Sequence, residues 1–145
     1  QGKFEKAVVT LKEASELDPR SARLAYSLGS TSMLLRMYSE AERYYERAIS
    51  LAPDWPRPYA YKMQLYFFAE GSTKKARTVL NRALENIRTK EHVFIIFHWI
   101  LLEIFDGNYQ KALEYRKKAL ALAIETKILN TKKIVIEKYF TFSHN

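Results

Sequence analysis

Few residues in this chain are equipped for catalysis or for holding a metal. Cysteine is absent, which excludes disulfides and thiolate metal sites. His92, His98 and His144 share no helical metal spacing, and His92 and His98, six residues apart, fall on different faces of a helix. There is no glycine-rich phosphate loop and no Gly-x-Ser-x-Gly elbow. The acidic residues read as i,i+4 surface partners of Lys and Arg, not as paired catalytic carboxylates. No enzymatic activity, cofactor or metal is expected. What the residue types do offer is recognition. Tyr44, Tyr45, Tyr59, Tyr61 and Tyr66 crowd the middle of the chain, and the formal net charge is +8. Aromatics beside cations can stack nucleic-acid bases. Tyrosines also fill gaps between helices while keeping the hydroxyl wet, and that is the stronger reading. The C-terminal part is rich in cations, with Lys111, Arg116, Lys117, Lys118, Lys127, Lys132, Lys133 and Lys138 against Glu114, Glu125 and Glu137. A solvated helix is the default account of that charge, and an acidic partner is the alternative.

The elements that must position these residues are helical. The 145 residues are 48% hydrophobic with only 4 Gly and 4 Pro, a composition for a globular helical domain able to bury a core. The longest apolar run, Val93 to Phe105, is broken by His98 and Glu103 and falls short of the ~18 residues that span a bilayer. Nothing at the start resembles a signal peptide, which with the missing cysteine points to the cytoplasm. The opening Gln1-Gly2, without a methionine, reads as the start of a piece of something longer.

One spelling recurs. Ala41, Tyr45, Ala48 and Pro53 repeat Ala7, Leu11, Ala14 and Pro19 at an offset of 34 residues. The first copy predicts a helix over Lys3 to Leu17, with Phe4, Val8 and Leu11 on one face and Asp18-Pro19 as its stop. Ser21 is the expected N-cap of a helix to about Leu35, with Leu24, Ala25, Leu28, Gly29 and Ser32 facing inward. Ser39-Glu40-Ala41 opens the helix that ends at Pro53, and Trp55-Pro56 opens another, to about Glu70. Gly71-Ser72 makes a turn before a helix carrying Ala76, Val79, Leu80, Ala83 and Leu84. Thr89 is expected to cap a helix from Lys90 to Phe105, and Asp106-Gly107-Asn108 to turn the chain into Tyr109 to about Glu125. Beyond Lys127, Ile128, Leu129, Val135, Ile136, Tyr139 and Phe140 have helical spacing, though Ile134-Val135-Ile136 is β-branched and leaves an extended tail open.

With that period, and with Gly29 and the small residues Ala41 and Ala48 at their positions, residues 2 to about 125 resemble the tetratricopeptide-repeat family, in roughly three and a half repeats. The match is closest over 20–53 and weakens after 91, where Arg116 replaces the aromatic and no proline stop follows. The resemblance implies an all-α fold, a right-handed superhelical α-solenoid of antiparallel helix pairs. It divides a single domain, 1–145, into the second helix of a truncated repeat (1–19), repeats at 20–53 and 54–88, a divergent repeat (89–126) and a C-terminal capping helix or tail (127–145). It also implies a protein or peptide partner, acidic if the arginines face it, bound in a concave groove lined by first helices. The groove candidates carried over from the family pattern are Arg23, Tyr26, Ser30 and Met33, then Arg57, Ala60, Gln64 and Phe67. One subclass of the family clamps a chaperone's terminal carboxylate with Lys, Asn and Arg. Tyr26, Ser30, Ala60 and Gln64 stand at the matching positions here, so that ligand is rejected. The alternatives are a structural or self-associating module of a larger bacterial regulatory protein and, more weakly, a nucleic-acid-binding array.

Two features lie outside the groove. The helix 3–17 lacks its partner, so it is expected to be covered by another copy or to fray. The Val93 to Phe105 run is apolar all round, leaving a third stripe that includes Phe97 and Trp99. That stripe is expected to be covered by the 127–145 tail, by a second copy in a homo-oligomer, or by the partner.

Overall fold

The computed structural model describes residues 2–88 and 91–140, with side chains throughout except at positions 3, 4, 129 and 131–140. These residues form seven α-helices and no strand. They fall into two compact units, Gln1–Arg88 and Thr89–Asn145.

The first unit contains α1 (Gly2–Leu17), α2 (Ala22–Leu34), α3 (Tyr38–Leu51), α4 (Pro56–Glu70) and α5 (Thr73–Asn86). Their ends follow local chemistry. Ser21 accepts a hydrogen bond from the Leu24 N–H (3.4 Å) at the start of α2, and Ser72 from the Lys75 N–H (3.3 Å) at the start of α5. Pro56 sits in the first turn of α4, where no N–H is needed. Gly71 ends that helix in the left-handed region. Each helix packs on the next, α1 on α2 through to α4 on α5. In α1, Val8 is buried while Val9 and Leu17 are exposed, so the helix covers α2 with one narrow stripe. The expected contribution of Phe4 lies outside the described side chains.

The core of this unit is built on tyrosine. Tyr45 and Tyr59 are fully buried, and Tyr44 and Tyr66 nearly so. Three of these hydroxyls are not left to water, as the sequence suggested, but bonded within the unit. Tyr59 donates to the Pro53 carbonyl (2.9 Å), Tyr45 to Ser30 Oγ (3.4 Å) and Tyr66 to Glu42. In these three residues the polar tip is satisfied while the ring supplies apolar area.

A second tie is ionic. Lys62 of α4 is 8% exposed and lies 2.7 Å from Glu46 of α3 and 3.9 Å from Glu42. Arg82 of α5 reaches the other oxygen of Glu46 at 2.6 Å. One carboxylate thus joins three helices. Burial opposes ionisation of Glu46, but the hydrogen bonds from Lys62 and Arg82 outweigh it and hold the carboxyl below its usual range. A folded value below the unfolded one gives stability that is complete above the unfolded glutamate value of about 4.3 and is lost as pH falls through the folded value. Thermal melts taken from neutral pH downward should therefore show a loss below about pH 4.3 that is shallower in Glu46→Gln. An identical acid slope in the variant would remove Glu46 as its source.

The second unit contains α6 (His92–Phe105) and α7 (Tyr109–Phe140). They pack antiparallel across Asp106-Gly107-Asn108, where the Asn108 N–H bonds the Glu103 carbonyl (2.8 Å) and the Asn108 side chain bonds Glu103 Oε2 (3.0 Å). The expected cap Thr89 lies outside the described residues. α7 does not end near Glu125. It continues unbroken to Phe140, 32 residues or about 48 Å, against about 21 Å for α6. The backbone of 127–140 is therefore helical and runs on past the stretch that α6 can flank, with no fold-back over it. The expectation that this segment covers α6 does not match that path, because no helix breaker interrupts it. Residues 141–145 lie outside the description.

Candidate partner-binding groove

α2 and α4 are the first helices of consecutive pairs, and each turns one face toward the same cleft. On α2, Arg23, Tyr26, Ser30 and Met33 step along one stripe; on α4, Arg57, Tyr61 and Gln64 do the same. Tyr26 is the hub. Its ring centroid lies 5.0 Å from Trp55, 5.3 Å from Tyr61 in an edge-on arrangement at 88°, and 6.1 Å from Tyr45. Tyr45, from α3, forms the floor, with its hydroxyl between Ser30 Oγ and the Met33 sulfur (3.6 Å). Burial and then the bond to Tyr61 push the Tyr26 hydroxyl up to about 12, and burial pushes Tyr45 up to about 12. Both stay protonated donors at physiological pH.

The main cleft is open and encloses about 700 Å³; Tyr26, Ser30, Met33, Tyr45, Tyr61 and Gln64 line it, and Arg36 and Tyr38 stand at one end. A second recess of about 480 Å³ lies between Arg23, Tyr26, Ser27, Trp55 and Arg57. The two share Tyr26 and Ser27. Arg23 and Arg57 are exposed there. No acidic side chain lines either recess.

The structure thus brings together six of the eight groove residues named from the sequence: Arg23, Tyr26, Ser30, Met33, Arg57 and Gln64. Two fall elsewhere. Ala60 is fully buried, because a small residue there lets neighbouring helices approach, and Phe67 sits edge-on to Phe68 (5.1 Å) outside the cleft. Trp55, Tyr61 and Arg36 were missed. Tyr61 was legible, since it lies four residues after Arg57 and three before Gln64 and must share their face.

In the second unit, Trp99 is not part of an open stripe. It is 5% exposed and stacks on Tyr115 of α7 at 5.6 Å and 17°. Phe97 is 56% exposed. Two residues along a helix is a rotation of about 200°, so these side chains cannot share a face. The stripe that stays open is Phe94, Phe97, Leu101, Ile104 and Phe105. His98 is buried, with Nδ1 at 2.8 Å from the Phe94 carbonyl, and desolvation holds its pKa below the usual value. Among the described residues no helix is long and apolar enough to cross a membrane.

Antiparallel helix pairs of this period, closed on small residues, define a helical-repeat interaction fold. The tetratricopeptide-repeat family model matches residues 1–65, and this stretch carries tetratricopeptide repeats. Among solved structures, a crystal structure of MamA is similar, with a TM-score of 0.69 and 24% identity over 86% of this chain and 71% of that one. A further structure, MamA from residue 41 onward of Desulfovibrio magneticus RS-1, has a TM-score of 0.66 and 19% identity over 86% and 68%. At these identities the likeness is one of fold. No curated protein matches the chain in sequence. Repeats of this kind are protein-interaction scaffolds, and the fold is typically non-catalytic.

Proposed function

We propose that the first unit binds an extended segment of a partner protein in the cleft between α2 and α4. The observation that carries this is the aromatic cluster of Tyr26, Trp55 and Tyr61, set at an open cleft and flanked by exposed Arg23 and Arg57. Tyr, Trp and Arg are the residues that concentrate binding energy at protein interfaces. Gln64 and Ser27 add polar groups at the same walls that suit a peptide backbone. No reaction is assigned to this site.

Selection of binders from a random peptide library on the immobilised chain, followed by titration of the winners, is the test. Tyr26→Ala and Gln64→Ala should each weaken the winners, Tyr26→Ala by about tenfold or more. Winners bound equally well by both variants would place binding elsewhere and end the proposal.

A further inference from the structure

The groove carries a charge pattern that specifies its ligand further. In the first unit four carboxylates are drawn into pairs away from the cleft. Glu42 and Glu46 meet Lys62 and Arg82, Glu70 meets Lys75, and Glu40 meets Lys12. The arginines that border the cleft have no such partner among the described residues. Arg23 and Arg57 stand at one end, and Arg36 at the other.

Arg36 is the telling residue. It occupies the turn after α2 with φ 60, in the left-handed region that side chains with a Cβ avoid. The Met37 N–H bonds the Ser32 carbonyl (2.8 Å) and the Arg36 N–H the Met33 carbonyl (3.0 Å), a helix ending that favours glycine at this position. The corresponding turns of the two other described helix pairs have glycine there, Gly71 at φ 62 and Gly107 at φ 74. All three residues stand five positions before the small residue of the second helix, Ala41, Ala76 or Ala112. Glycine is the unstrained choice, and this pair alone among them carries a cation instead. Strain of this kind persists where the side chain is used.

Arg23 and Arg36 are thirteen residues apart along α2 and its turn, about 20 Å. An extended chain covers that distance in about six residues. Resting on the groove proposed above, we infer that its ligand is an extended acidic protein segment: one carboxylate meets Arg36, another about six residues away meets Arg23 and Arg57, and an apolar or aromatic side chain between them sits on Tyr26 and Tyr61. A single-stranded nucleic acid fits less well. The rings of the cluster are turned edge-on or tilted to one another instead of offering successive parallel faces, and the cations are grouped at the ends instead of tracking a backbone.

The probe is a fluorescent decapeptide with two glutamates about six positions apart around a central phenylalanine, read by polarisation. Replacing either glutamate by glutamine should weaken binding by about tenfold, and raising the salt concentration should weaken the parent peptide. Arg23→Glu with Arg57→Glu should abolish binding of the acidic peptide and transfer preference to a lysine version of it. Arg36→Gly should weaken binding while raising the melting temperature, a combination that a merely structural arginine would not produce. Equal affinity for the glutamate and glutamine peptides, or unchanged affinity in Arg36→Gly, overturns the inference. So does tight groove binding of an oligothymidylate that displaces the peptide. Library peptides that need Tyr26 yet carry no acidic residues would overturn this inference and leave the groove itself standing; peptides indifferent to Tyr26 would remove both.

Discussion

Gly29→Leu is expected to destabilise the first unit by about 1–3 kcal/mol, the range for overpacking a filled core. Even one added carbon is too many. A Cβ on Gly29 would lie 2.7 Å from both Cδ1 and Cε1 of Tyr45. Moving that ring is costly: it is fully buried, it packs against Tyr26 (6.1 Å) and Tyr61 (6.2 Å), and its hydroxyl is held at Ser30. For Gly29→Ala the better helix propensity, about 1 kcal/mol, works against the clash, so its net loss should be smaller than that of leucine. In a unit of this size each kcal/mol lowers the melting temperature by about 4–8 °C. Thermal melts of the two variants check the order. A double variant, Gly29→Ala with Tyr45→Leu, should lose less than the sum of its parts, because removing the ring removes the obstacle. A Gly29→Leu protein that melts with the parent would show that α2 and α3 do not cross at this residue.

Trp99→Ala should be the most damaging change in the second unit, at about 3–5 kcal/mol, the range for emptying a large aromatic site. α6 and α7 are joined by one turn, and the Trp99–Tyr115 stack is an aromatic contact that spans them. Phe97→Ser, two residues away, should change stability little, since Phe97 is 56% exposed. Hydrogen exchange of the α6 amides separates the two: protection should collapse in Trp99→Ala and persist in Phe97→Ser. Equal losses in both would mean that the open face of α6 is covered in solution, and a sedimentation mass would then say whether a second copy covers it.

Much of this protein was written in the order of its residues. The 34-residue spacing, Pro19 and Pro53 as stops, Ser21 as a cap, Gly71-Ser72 as a turn and Pro56 in a first turn determine the helices of the first unit, because helix ends are decided by backbone groups within a few residues. The same spacing puts Arg23 and Arg57 at equivalent points of successive first helices, so the arginine pair at the groove was also legible. Tertiary structure decided what periodicity cannot. A helical period says which residues share a face, but not which neighbour claims that face. Ala60 went to the core while Tyr61, next to it, went to the cleft. Trp99 was claimed by α7, and Phe97 was left open. Tyr45 became the groove's floor because Gly29 lets the two helices close on its ring, a contact across sixteen residues that neither helix specifies alone. Arg36 takes a left-handed backbone conformation that its glycine counterparts Gly71 and Gly107 adopt without strain, and no residue pattern in the turn marks it. The length of α7 was open for a related reason: β-branched residues near its end weaken the local helix preference only slightly, and propensities that small do not choose between a helix and an extended tail.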